Sequence, residues 1–438
     1  MLSFPHRSLR PSLVLAALPA LALAGCNGGD FTGTAVSASV PRDKSPHVAA
    51  GDETTLVKGN TDFAFSLYHQ ITPSSPTQNL FFSPYSVSLA LAMTWAGAEG
   101  STATQMASAL RFTLPENRLA PAFDALDLSI QQKPAGATGA DGAPFAINVA
   151  DSLWGDQRVT FQKPFLTTLG TYYGAGLRTV DFVDQPDQAE SAINNWVAKE
   201  TNDKIDPLLG PGSVDSSTRF VIVNAVYFNA SWASPFQKSD THTGKFTRAD
   251  GSVVTTPLMS SGVTATAYAK GSNWQAVELP YSGNTTSMVV VLPDPGAFAA
   301  VEHGLSGAFL GQVTSSLQGG ASVDLTMPSF KIHGASVSLA SPLQALGMTD
   351  AFDPKLANFT GAVANDPIYI SDVIHQAFVD VDESGTEAAA ATAVVAGDAA
   401  VGPPPVTVVV NRAFFFAIRD RATNTILFVG RETDPTAQ

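Results

Sequence analysis

Cysteine is all but missing from this chain. Of 438 residues one, Cys26, carries a thiol, so no intrachain disulfide can staple the fold. Charge is scarce too, at 14% of residues, and it leans to one sign: 24 lysines and arginines stand against 38 aspartates and glutamates, a formal net charge of −14. That balance argues against nucleic acid and anionic membrane surfaces as partners. The seven histidines are scattered. None forms an H-E-x-x-H pair or a cysteine–histidine cluster, which removes the common zinc-site patterns. No G-x-S-x-G elbow occurs; Gly304-Leu305-Ser306-Gly307 stops one residue short, so a serine-hydrolase reading has no nucleophile. No catalytic residue, metal or cofactor is therefore expected, and the chain has no internal repeats.

Apolar residues are what the chain does have, at 45%, enough to bury a large core. The first 25 residues stand apart. His6, Arg7 and Arg10 make a basic start, and residues 13–24 are an apolar run too short to span a bilayer, which reads as a secretory signal. Leu23-Ala24-Gly25-Cys26 resembles the bacterial lipobox. That resemblance implies a lipidated Cys26 as the first mature residue, held to a membrane by acyl chains alone. Asn27 carries no aspartate-type retention signal, so the expected location is the outer membrane or cell surface, with an extracellular one left open. Residues 26–55, rich in Gly, Ser, Thr, Ala and Asp, read as a flexible tether. A single folded domain is expected from 56 to 434.

Within that domain, Asn60 precedes apolar positions at helical spacing, so a first helix is expected there. Ser83 and Pro84 can open and cap a second helix, continuing through the alanine- and leucine-rich residues 87–98. Residues 134–143, rich in Gly, Ala and Pro, are expected to form a surface loop. Residues 147–154 read as a strand, and 220–228 as a strand buried on both faces. Residues 277–281 and 287–293 suggest a hairpin around Gly283-Asn284. Residues 323–332, broken by Met327-Pro328, suggest one strand with an edge or bulge. A short helix over 342–350, a strand through His375, and apolar strands over 406–418 and 425–430 complete the reading.

The most informative stretch is 382–405, D-E-S-G-T-E-A-A-A-A-T-A-V-V-A-G-D-A-A-V-G-P-P-P. Gly385 lacks a Cβ and can serve as a pivot. If the segment is extended, Thr386, Ala388, Ala390, Thr392, Val394 and Ala396 share one face. None is bulky or charged, so that face can join an existing sheet at little packing or desolvation cost. Glu387, Ala389 and Ala391 fall on the other face. Four consecutive alanines are equally compatible with a helix.

D-E-S-G-T-E-A-A-A-A-T resembles the hinge of the reactive-centre loop of the serpins. N-L-F-F-S-P-Y-S at 79–86, V-N-A-V-Y-F-N-A-S-W at 223–232 and F-F-F-A-I-R-D-R-A-T-N-T-I-L-F-V-G-R at 414–431 are similar to further segments of that family. The resemblance implies a mixed α/β (α+β) domain with a large central sheet, smaller sheets, about eight or nine helices and an exposed loop over 382–405. It implies that His375 bonds with Asn224 and a serine, Ser83 or Ser86, in a polar latch beneath the strands that part, with Trp232 at the top. Glu383, which in the family often pairs with a lysine, faces Ser329 at that position and is left with Lys331 or water.

The function so implied is suicide inhibition of serine proteases by a monomer. The protease attacks the loop, and the cut loop inserts into the central sheet with the acylated enzyme attached. Counting from Gly385 places the attacked bond at Ala399-Ala400. Counting back from Val410-Asn411-Arg412-Ala413-Phe414 points to Gly402-Pro403, with Val401 between. Small apolar residues there favour elastase-like or subtilisin-like partners, and no basic residue lies between Asp380 and Pro405 to suit a trypsin-like one. The rival reading is a serpin-fold protein of the cell envelope that binds or supports without inhibiting.

Overall fold

The chain runs upward along one long apolar strand and returns to pair with it more than 140 residues later, and that non-local pair centres the fold. Phe220–Ser231 is buried at every position but its last. Asp372–Val381 lies parallel beside it, in register from Asp372 opposite Val221 to Phe378 opposite Tyr227. Parallel strands need cover on both faces, which explains the absence of polar alternation in residues 220–228. The computed structural model describes residues 31–437 apart from 75–76, 133–136, 140–141, 143–144, 334–335, 365–366 and 387–403.

Among the described residues, nine α-helices accompany two sheets. The central, eight-stranded sheet runs in the order Thr34–Val36, Leu177–Val180, Ala146–Asp156, Phe220–Ser231, Gly385–Thr386, Asp372–Val381 and Phe330–His333, with Val337–Ser338 also paired to Asp372–Val381. The second, nine-stranded sheet holds the hairpin Trp274–Pro280 and Thr286–Pro293 and the C-terminal hairpin Phe414–Asp420 and Ile426–Glu432. Gly283 and Asn284 turn the first of these with positive φ angles of 86° and 56°.

The helix Pro84–Trp95 packs against both sheets and is buried on nearly every side, so it lacks a polar face and its few polar groups, such as Ser86 and Ser88, are small and hydrogen-bonded. Ser83 caps it, its Oγ accepting from the Ser86 N–H, and Pro84 fills the first turn, where no N–H is needed. The Phe81 ring stacks on Phe428 with centroids 4.9 Å apart and lies 5.8 Å from Phe416. Phe416 in turn covers Gly430, its partner across the C-terminal hairpin.

Four expectations are corrected. The first helix is Asp52–Ile71, so Asn60 is not its cap; it is buried mid-helix, accepting a 2.8 Å bond from Ser88 Oγ. The tether reading fails for residues 34–55, because Thr34–Val36 pairs with Leu177–Val180 and the helix begins at Asp52. Residues 323–332 are not one strand. Gln318–Pro328 belongs to the second sheet and Phe330–His333 to the central one, the chain crossing at Ser329 just after a proline that cannot donate to a ladder. Residues 406–418 likewise divide into Val406–Val409 and Phe414–Asp420. Much of 134–143 lies outside the described residues.

A Cβ on Gly430 would meet Phe416 Cζ at 2.3 Å. Gly430→Val is therefore expected to lower the unfolding free energy by about 1–3 kcal/mol through overpacking. Denaturant unfolding of the variant checks this; an unchanged midpoint would place the ring elsewhere.

Candidate functional site at the seam of the central sheet

The parallel pair Phe220–Ser231 and Asp372–Val381 does not stay closed to its top. Past Val381 the chain reverses in a turn that Asp382 builds from its own side chain, Oδ1 accepting from the N–H groups of Ser384 (2.8 Å) and Gly385 (3.2 Å). Short acidic side chains make this kind of turn readily. Burial pushes the Asp382 carboxyl up, while the two N–H groups draw it down. The chain then re-enters the sheet. Gly385–Thr386 forms a two-residue strand between its neighbours, with Thr386 opposite Val381 on one side and opposite Ala230 on the other, antiparallel to both.

Trp232, just beyond the end of the Asn224 strand, clasps this turn. Its N–H donates to Ser384 O and its indole Nε1–H to Asp382 O, both at 2.9 Å. Its ring stacks on Tyr281 with centroids 4.6 Å apart. The Tyr281 hydroxyl in turn meets Thr386 Oγ1 at 2.8 Å, in a pocket where Thr386 is fully buried. Glu383 finds neither Lys331 nor water alone. Its Oε1 accepts from Thr241 Oγ1 at 2.6 Å, while Lys331 pairs with Asp380 at 2.5 Å.

Below this, the structure brings Ser83, Ser86, Asn224 and His375 together. His375 Nδ1–H donates to Asn224 Oδ1, and Nε2 accepts from the Ser83 N–H at 3.2 Å. Ser86 Oγ donates to the same Asn224 oxygen at 2.7 Å, and Ser83 Oγ donates to Leu427 O at 2.7 Å. Asn224 Nδ2 donates to Asp151 Oδ1 on the neighbouring strand. Asp151 was not foreseen, although a lone acid in the apolar run of residues 147–154 is a signal. Burial, with Asp127 adding to it, holds its carboxyl well above the usual range. These groups cannot work as a nucleophile and base: His375 is fully engaged and reaches no solvent. They tie the two parting strands and the capped helix to one another, and parting them leaves several buried groups without partners, each costing about 1–3 kcal/mol.

Glu387, Ala388, Ala389, Ala390 and Ala391 lie outside the described residues, as do the attacked-bond candidates Ala399, Ala400, Val401 and Gly402, and Cys26. The chain leaves the seam at Thr386 and is next described at Pro404; Val406–Val409 then pairs parallel with Gln318–Pro328 in the second sheet.

Comparison with known proteins places these features in a family. The model of the family described as Serpin (serine protease inhibitor) matches residues 58–435. A serpin-like protein of Methanosarcina acetivorans is 32% identical over 88% of this chain and 87% of its own length. The leukocyte elastase inhibitor of Xenopus laevis is 35% identical over 86% of this chain and 98% of its own. Among solved structures, the native state of the thermophilic serpin tengpin superposes with a TM-score of 0.77 at 28% identity, covering 92% of this chain and all of its own. Thyroxine-binding globulin in complex with thyroxine gives 0.76 at 28% identity, covering 87% of this chain and all of its own.

Burial lowers the His375 pKa from 6.5 to about 4, with the Asn224 bond working against the shift. Between those two values the unfolded chain binds more protons than the folded one, so stability is present above pH 6.5 and is lost as pH falls toward 4. The loss attributable to His375 is at most about 3 kcal/mol. Asp151, shifted upward, acts with the opposite sign, so a comparison isolates the histidine. From pH 6.5 to 4.5 the wild-type denaturant midpoint should fall relative to that of His375→Gln, the buried acids contributing alike to both. A constant difference between the two would assign the titration elsewhere.

Proposed function

The chain belongs to the serpin family, and from that premise we propose that it is a suicide inhibitor of elastase-like or subtilisin-like serine proteases, exported and lipid-anchored through Cys26 at the outer membrane or cell surface. Serpins are protease inhibitors rather than catalysts, and the relatives at about 35% identity include proteins named leukocyte elastase inhibitor. The observation that carries the proposal is the strand Gly385–Thr386, already seated between the two halves of the seam.

Its register tells what further insertion would do. Continued downward without a bulge, the pairing of Thr386 with Ala230 and Val381 sets Ala388 between Phe228 and Val379, and Ala390 between Val226 and Ala377. Thr392 then falls between Asn224 and His375, which now face each other directly. Insertion must therefore break the latch, and a threonine arrives with a hydroxyl to meet the freed groups. The same register brings Ala396 opposite Phe220, the first residue of its strand. Ala399 would lie three residues past the sheet, a short tether for an acylated protease, whereas Gly402 would leave a slack one. This supports Ala399-Ala400 as the attacked bond.

The chemistry follows from that placement. The protease serine attacks the Ala399 carbonyl carbon, the amide bond to Ala400 breaks, and the acyl ester stays on Ala399 while the new amine leaves with the C-terminal fragment. Insertion then exchanges one parallel ladder for two antiparallel ones. That adds on the order of ten main-chain hydrogen bonds at about 0.5–1.5 kcal/mol each, which drives the enzyme to the far end of the sheet before water can release it.

The test uses residues 27–438 with an elastase, a subtilisin and trypsin. A denaturant-stable complex is expected with one or both of the first two and none with trypsin, with a C-terminal fragment whose mass begins at Ala400. Clean cleavage without a complex in every case would favour a serpin-fold binding protein. Ala388→Arg is expected to raise the inhibitor consumed per protease trapped by tenfold or more, because its side chain would have to lie beside Phe228 and Val379. Full trapping by that variant would sink the insertion mechanism.

A further inference from the structure

Residues 31–50 precede the first helix, yet they are fastened along their length. Thr34–Val36 adds an antiparallel strand to the outer edge of the central sheet, from Thr34 opposite Thr179 to Val36 opposite Leu177. The Arg178 guanidinium donates to Thr32 O at 2.9 Å while lying against the rings of Trp154 and Trp196. Further along, the Asp43 N–H donates to Thr171 O at 2.8 Å. Arg42 forks onto Asp124 (2.7 Å) and Asp127 (2.6 Å) of the helix Glu116–Gln131. The receiving surface is cut to fit. A Cβ on Gly176 would meet Val36 O at 2.6 Å, and one on Gly170 would meet Val40 Cγ2 at 2.8 Å.

These contacts lead inward. Asp127 accepts from the Tyr85 hydroxyl at 3.1 Å, and Tyr85 lies in the first turn of the helix whose cap, Ser83, donates to His375. One chain of contacts thus joins Arg42 to the latch. We propose that residues 31–50 are a strap that holds the central sheet closed, raising the barrier to parting the Asn224 and His375 strands, and that its release speeds loop insertion. The inference rests on the insertion reading above.

The physical argument is one of relative motion. Admitting a strand moves the neighbours on either side of it about 4.8 Å further apart. The half of the sheet that carries Asn224 also carries Ala146–Asp156 and, at its edge, Leu177–Val180. The strap is paired to that edge and ion-paired to the helix Glu116–Gln131, so the half-sheet cannot shift against the helix without breaking one attachment. The ion pair resists. Asp124 is fully buried, its carboxyl pushed up to about 6 by burial and drawn back by Arg42. Taking the guanidinium away leaves two shielded acids without a cation, which is strongly unfavourable.

The test takes the full-length protein with Arg42→Ala or Gly176→Val, and Arg42→Lys as an intermediate. Each is warmed without a target protease, and samples are assayed for an uncleaved loop that resists a non-target protease and for a heat-stable monomer. Arg42→Ala and Gly176→Val are expected to convert at least tenfold faster than wild type, with Arg42→Lys between. Conversion at the wild-type rate in variants whose strap has become protease-sensitive would overturn the proposal. So would loss of the native form by unfolding, with no heat-stable monomer. A parallel arm cleaves the wild-type loop: no gain in heat stability there would sink the insertion reading and the strap with it. A gain there, with unchanged variant rates, would sink the strap alone.

Discussion

The structure depends on a seam between two parallel strands that share one hydrogen-bond ladder and a knot of polar side chains. A parallel pair is slightly weaker per residue than an antiparallel one, and here it sits in the interior of a sheet, where neither strand can be trimmed as an edge strand can. On the proposed insertion reading, the sheet is complete but not at its best arrangement. An antiparallel third strand would satisfy both inner edges in the stronger pattern, and Gly385–Thr386 already does so at the top. What keeps the rest of the seam shut is the cost of parting Asn224 from His375 and both from Ser83 and Ser86. Stability held behind a barrier of this sort is kinetic.

Much of this was legible in residue order because the seam imposes local demands. A strand buried on both faces must be apolar throughout, so residues 220–228 announced themselves. A helix covered on every face cannot be amphipathic, and its first turn needs a cap, so Ser83 and Pro84 were informative. On the proposed insertion reading, a loop that slides past Phe228 and Val226 has to be small, as Thr386, Ala388 and Ala390 are. The grouping of Ser83, Ser86, Asn224 and His375 came from resemblance, since nothing in their spacing brings residues 292 positions apart into contact.

What was not legible rests on partners that sequence does not order. Residues 34–36 look like any polar, small-residue linker; their strand exists because the edge of Leu177–Val180 offers its ladder groups and Gly176 gives room for Val36. Three residues of ordinary composition carry no periodicity to read. Glu383 was assigned to Lys331 or water because opposite charge was the visible clue, but Asp380 claims that lysine and Thr241 stands nearer. The crossing at Ser329 was missed for a related reason. Alternation shifts phase by one residue across Met327-Pro328, from Val323, Leu325 and Met327 to Phe330 and Ile332, which reads equally as a bulge, and only the sheets on either side reveal that its two halves serve different layers.

The strap changes what a lipid on Cys26 would do. Read as a linker of residues 26–55, it would let the domain roam about 100 Å from the bilayer at full extension. With Thr32 already bonded to Arg178, six residue steps remain, a reach of at most about 20 Å. An anchored domain would then meet only proteases that come close to the membrane. A load on the anchor would also fall first on a three-residue strand paired along one edge, and next on Arg42. Both attachments lie on the half of the sheet that would move on the insertion reading, or on the helix against which it would move. Attachment and metastability would therefore be linked through the same few contacts, so the state of the anchor would bear on the state of the seam.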